Sequence, residues 1–209
     1  MKNTVVTKVK RSKNKSDLRS GFTTGACAAA ASRAAVQTLL TGQQPDYISI
    51  TLPNGEPATF KVAFIQTSND AVTASIVKDA GDDPDCTHEA HIQSIVRWHS
   101  DPGFHIDGGV GVARVTLPGL ELPVGQAAIN PVPRKNILDM VTLEWNQATS
   151  QQKKHVGISL EICVPDGEER AKETIGPRLG LIGGISILGT RGTVKPYSTS
   201  AFSASVRQS

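Results

Sequence analysis

Aromatic residues are scarce in this 209-residue chain, at 4% of positions, and cysteines number three. Cys27, Cys86 and Cys163 stand far apart with no C-x-x-C pair. An odd, scattered set argues against a disulfide framework and fits a reducing compartment. No apolar run approaches the roughly 18 residues that a membrane-spanning helix needs, so no membrane partner is expected. The charged N-terminus leads into an alanine tract at residues 25–36 that Ser32 and Arg33 interrupt, a poor hydrophobic region for a secretory signal. A strict glycine period is missing, which excludes a collagen, and 38% hydrophobic residues are too many for a disordered chain. A soluble, cytoplasmic protein is the expectation.

Charge is present but unevenly placed. Residues 1–19 hold seven cations (Lys2, Lys8, Lys10, Arg11, Lys13, Lys15, Arg19) and one anion, Asp17. Of the chain's 22 cations and 19 anions, 15 and 18 remain in the body, a net of −3. The basic balance therefore describes a tail, read as a solvated, flexible extension. A basic arm can touch phosphate, but the body lacks the basic residues interleaved with aromatics that a nucleic-acid platform needs. Nucleic acid is disfavoured as a partner.

Thr23 and Thr24 precede an alanine-rich stretch of strong helix formers that runs to Leu40, with Gly42 just beyond; the pattern predicts a helix. Ile48, Ile50 and Leu52 alternate with polar residues, and Pro53-Asn54-Gly55 turns the chain into residues 58–65, which predicts a hairpin. A strand is expected at 72–77, then an Asp/Gly-rich loop at 78–85. A helix is expected at about 87–99, with Ile92, Ile95 and Val96 on its apolar face. A strand at 110–117 precedes a proline-rich stretch, 118–133, and a helix at about 134–146. Residues 156–164 alternate cleanly as a half-buried strand. The segment 180–192 is apolar and dense in glycine, and 197–206 reads as the opening of another helix. The class is α+β, a mixed-sheet domain with three main helices and no internal repeat.

Four segments could carry chemistry. At residues 21–27, two hydroxyls and a glycine at a helix N-terminus suit a carboxylate or phosphate, or serve as an ordinary cap. Cys27 lies in that first turn, where a thiolate is favoured, although a small buried cysteine among alanines is the simpler reading. In residues 78–85, Asp79, Asp82, Asp83 and Asp85 could hold a cationic ligand or a hard cation, or form a solvated turn. His88, His91, His99 and His105 lack zinc-ligand spacing, so no metal site is assigned. In residues 128–134, Pro131 and Pro133 stiffen the chain between Asn130 and Arg134, placing an amide beside a guanidinium, a good carboxylate clamp. In residues 180–192, Gly183 and Gly184, with Thr190 further on, let a ligand or another backbone come close.

Together and in this order, these segments closely resemble the CbiD family, the cobalt-precorrin-5B C1-methyltransferases of anaerobic cobalamin biosynthesis. The matching strings are GFTTGACAAAA (21–31), LPNG (52–55), KDAGDDPD (78–85) with Thr87-His88, GGVGVARVTLPGL (108–120), INPVPR (129–134) and LGLIGGISILGTRG (179–192). Gly176 and Val110 depart from the residues usual in the family at their positions, Asn and an acidic residue. The resemblance implies methylation of a macrocycle ring carbon with S-adenosyl-L-methionine as donor, giving cobalt-precorrin-6A. Cobalt arrives inside the substrate. It also implies a first α+β domain over 20–192, related to (permuted) ribosomal-protein and small-molecule-kinase folds. A second, α/β domain would begin in 193–209 and continue past the end of this chain.

On that chemistry, Thr23, Thr24, Gly25 and Arg134 become candidate anchors for the macrocycle's carboxylates, with Asn130 beside them. Asp79 and Asp85 become candidates for attracting the sulfonium donor, and Asp82 and Asp83 for the catalytic charge or proton uptake. Gly183, Gly184 and Thr190 complete the expected contacts. Three readings stay open: a methyltransferase, a corrinoid-binding domain that transfers no methyl itself, and a nucleophilic enzyme using Cys27. Homo-oligomerisation is also left open.

Overall fold

A computed structural model of the chain describes residues 18–196. In chain order the elements are β1 (Gly21–Phe22), α1 (Thr24–Thr41), β2 (Tyr47–Thr51), β3 (Pro57–Lys61), β4 (Phe64–Thr67), β5 (Val72–Val77), β6 (His91–His99) and β7 (Gly103–Gly108). There follow β8 (Gly111–Val112), β9 (Arg114–Val115), α2 (Pro131–Gln147), β10 (Gly157–Cys163), α3 (Gly167–Ala171), a 3-10 turn (Gly176–Leu179), β11 (Leu181–Ile182), β12 (Gly184–Ile185) and β13 (Thr193–Val194).

The central sheet runs β4-β5-β6-β10-β7, antiparallel except for the parallel β10–β7 pair. One face is apolar by alternation: Val72, Ala74 and Ile76 on β5, Ile92 and Val96 on β6, and Ile158, Leu160 and Ile162 on β10. Helix α1 lies on this face, and α2 packs on α1. Because α1 is enclosed from both sides, its methyl side chains suit it; Ala28, Ala29, Ala30, Ala31, Ala34 and Ala35 are all fully buried. Thr23 caps its start, the side chain accepting from the Ala26 N–H, and Gly42 ends it in the left-handed conformation at φ 75°. Arg33 on α1 pairs with Glu144 on α2 at 2.7 Å, so the interface between the helices is charged as well as apolar. The β2–β3 hairpin forms as expected, with Ile50 opposite Ala58 and Ile48 opposite Phe60. Its second arm ends at Lys61, and the chain enters the central sheet as the separate strand β4.

The helix expected at 87–99 is a strand. Residues 86–89 make a turn, and β6 pairs with β5 and β10 along its length. Apolar residues at 92, 95 and 96 fit a helical period, whereas in the strand Ile92 and Val96 face inward and Ile95 lies on the other face. The inward position between Ile92 and Val96 is Ser94, which hid the alternation. Ser94 is fully buried because its hydroxyl is hydrogen-bonded at 3.0 Å to Ser32 of α1. The third helix is instead the five-residue α3. The strand expected at 110–117 is two short ones with different partners, β8 beside β12 and β9 beside β11. Helix α2 begins at Pro131, three residues before the expected start, since proline is tolerated in a first turn. Thr193 and Val194 pair with Phe22 and Gly21, tying this segment to the first strand. The basic tail, apart from Leu18 and Arg19, and the expected helix opening at 197–206 lie outside the described residues.

Candidate functional site

A cavity of about 410 Å³ opens where the start of α1, the loop after β5, the stretch before α2 and the segment from Thr174 to Leu188 meet. Thr23, Thr24, Asp85, Asn130 and Gly184, drawn from all four candidate segments, line it together. Leu120, Leu122, Ile175, Leu179, Leu181 and Leu188 give it mainly apolar walls.

The threonines are held by the protein itself. Thr24 Oγ1 accepts from the Leu188 N–H at 2.9 Å and lies 3.3 Å from the Ser186 and Leu188 carbonyls. The Gly25 N–H donates to the Leu188 carbonyl at 3.0 Å. A Cβ at Gly25 would lie 2.7 Å from Pro133 Cγ, so glycine lets the start of α1 meet the start of α2. Asn130 occupies the N-cap position of α2, yet its side chain does not cap the helix, and the residue lines the cavity.

The acidic loop splits in two. Asp85 faces the cavity, where its Oδ2 accepts from Lys78 Nζ at 2.7 Å and its Oδ1 from the Thr87 N–H and hydroxyl at 2.7 and 2.6 Å. Burial pushes the Asp85 carboxyl up, and the hydrogen bonds from Lys78 and Thr87 more than reverse this, leaving it below its ordinary value. Lys78, 1% exposed, is a functional candidate that the sequence patterns did not single out. Its signal was legible: it continues the inward phase of Val72, Ala74 and Ile76, where a lysine is out of place. Asp79 and Asp82 instead hold Arg19. The guanidinium grips both Asp79 oxygens, and the Arg19 N–H donates to Asp82 Oδ2 at 2.8 Å. The Arg19 hydrogen bond holds the Asp79 carboxyl down at about 2. Asp83 is not part of the cavity wall.

Other expected residues sit elsewhere. Arg134, one turn into α2 and no longer in a loop, donates to the Ile106 carbonyl at 3.0 Å. Thr190 lines a separate surface cleft beside Leu52 and Asn136. Gly183 is off the cavity wall, and Gly184 serves backbone packing: a Cβ there would lie 2.0 Å from the Gly111 carbonyl oxygen. Cys27 is fully buried, and its burial pushes the thiol up to about 12, which removes the nucleophilic reading. Among the described residues no group of three or more His, Cys, Asp and Glu could hold a metal ion, and no helix is long and apolar enough to cross a membrane.

A family model described as CbiD matches residues 11–196. The chain belongs to the CbiD family. It is 55% identical over 194 residues to a cobalt-precorrin-5B C(1)-methyltransferase of Geobacillus kaustophilus, covering 93% of this chain and 51% of that one. Similarity to the protein of the same name from Leptospira interrogans is 54% over 191 residues, covering 91% and 51%. The chain thus spans about half the length of the curated relatives it matches. A solved structure, the cobalamin biosynthesis protein cbiD of Archaeoglobus fulgidus, superposes with a TM-score of 0.66 at 28% identity, covering 91% of this chain and 59% of that one.

Proposed function

We propose that this chain serves the methylation of ring carbon C1 of cobalt-precorrin-5B, giving cobalt-precorrin-6A in cytoplasmic cobalamin biosynthesis, with S-adenosyl-L-methionine as methyl donor. The observation that carries the reading is the cavity where residues from four separate family-like strings meet. Its volume falls within the roughly 300–1,000 Å³ of small-molecule sites. Its walls are apolar with a few convergent polar groups, which suits a donor that must be kept from water. When bound, the donor supplies an electrophilic methyl on a sulfonium. Asp85, with its carboxylate held by Lys78 and Thr87, would face that positive charge, and the Asn130 amide would orient the ligand. Asp82 and Asp83 stand off the wall, so the charge role passes to Asp85. Alignment and exclusion of water carry such a displacement more than a strong base does. Cobalt belongs to the substrate and asks for no protein ligand. Kinship with ribosomal-protein and small-molecule-kinase domains, and a second α/β domain, belong to the same reading.

The test is transfer of isotopically labelled methyl from S-adenosyl-L-methionine to cobalt-precorrin-5B by the purified chain. Label in the macrocycle supports the reading. Binding of both ligands without transfer supports a ligand-holding domain instead.

A further inference from the structure

Among the described residues the cavity wall carries one cation, Lys78, against two carboxylates, Asp85 and Glu121. An ammonium has three N–H donors, and among the described residues the one acceptor Lys78 finds is Asp85 Oδ2 at 2.7 Å. Asp85 is itself fixed, since its other oxygen takes two hydrogen bonds from Thr87. A buried charge needs its hydrogen bonds completed, so acceptors for Lys78 must come from the cavity side. The best acceptor for an ammonium is another carboxylate. A wall of net negative charge, however, repels a ligand whose ionised groups are all carboxylates, as on a macrocycle ringed by acetates and propionates. It favours a ligand with one carboxylate and an excess of positive charge.

We propose that this cavity is the methyl-donor site and that Lys78 anchors the donor's α-carboxylate. S-Adenosyl-L-methionine carries a sulfonium, an ammonium and one carboxylate, the charge pattern complementary to Asp85, Glu121 and Lys78. The inference rests on the methyl-transfer reading and adds which residue of the cavity holds the donor's carboxylate and selects the donor over the macrocycle.

The experiment is calorimetric titration of the full chain with S-adenosyl-L-methionine, with decarboxylated S-adenosylmethionine and with cobyrinic acid. The unaltered chain is expected to bind the donor one-to-one and the decarboxylated analogue roughly 10- to 100-fold more weakly, the worth of a hydrogen bond to a charged group. Lys78→Met is expected to bind the donor as weakly as the analogue, with no further loss for the analogue. Saturating cobyrinic acid is expected to leave donor affinity unchanged. Equal affinity of the unaltered chain for donor and analogue overturns the anchor, whatever the variant does. Displacement of the donor by cobyrinic acid, or binding of cobyrinic acid alone, overturns the donor assignment while leaving the methyl-transfer reading to the labelled assay. Binding of neither ligand overturns both.

Discussion

Two ion pairs leave the same short loop in opposite directions. Lys78–Asp85 is turned into the cavity, its side chains 1% and 23% exposed; Arg19–Asp79 lies on the surface at 59% and 46%. One is a single ammonium contact and the other a two-pronged guanidinium grip, but burial is what separates them most. A buried pair is a liability unless every partner is in place, and its charges act at short range through little water. An exposed pair is screened and contributes little. The loop therefore does two jobs: one end builds a charged site in an apolar wall, and the other fastens residue 19 to the domain.

That contrast can be broken in four ways. The largest effect should follow Asp85→Ala, which leaves the Lys78 ammonium buried and unpaired. About 3 kcal/mol of stability should be lost, at the low end for a broken buried pair, seen as a lower urea midpoint. Acid comes next. Asp79 and Asp85 both have folded-state values below the ordinary carboxylate value, so their contribution is complete above about pH 4 and is lost as pH falls through the folded values, near 2 for Asp79. Thermal melts should be insensitive to these two groups between about pH 5 and 8 and fall steeply below about pH 4. Asp79→Asn should flatten part of that fall and leave the part due to Asp85.

Arg19→Ala should leave the urea midpoint nearly unchanged, and any difference should vanish in 1 M salt, where the screening length is about 3 Å. A drop as large as that of Asp85→Ala would show that the surface end is not the minor one. The smallest effect is expected for the double variant Asp82→Asn, Asp83→Asn. Donor affinity measured by calorimetry should change by less than about twofold, because neither side chain is on the cavity wall. A tenfold loss would return the charge role to these residues.

Local chemistry made much of the fold legible. Helix α1 was readable from its cap threonine, its alanines and Gly42, and β10 from the strict alternation of Ile158, Leu160 and Ile162. Strand β6 was not, because its inward period passes through Ser94, whose burial depends on a hydroxyl partner 62 residues away. The short pair β8–β12 depends on the close approach of Gly184 to Gly111, and β9–β11 joins residues far apart in the chain, which no local window contains. Within the site, Thr23, Thr24, Asp85 and Asn130 converge because the starts of α1 and α2 and the loop after β5 meet at the cavity. Arg134 does not join them, since α2 starts at Pro131 and turns that side chain toward Ile106. Lys78 could have been found by extending the alternation of β5 one step further.

Cys86 offers the most direct test of the central claim, that the 410 Å³ cavity is the ligand site of the reaction. This cysteine lines the cavity and is partly exposed, while Cys27 and Cys163 are buried. Alkylation of Cys86, followed by mass spectrometry with buried Cys27 as the check that the chain stays folded, should slow several-fold when S-adenosyl-L-methionine is saturating. An unchanged Cys86 rate in a chain that calorimetry shows to be fully bound would place the ligand elsewhere and contradict the account.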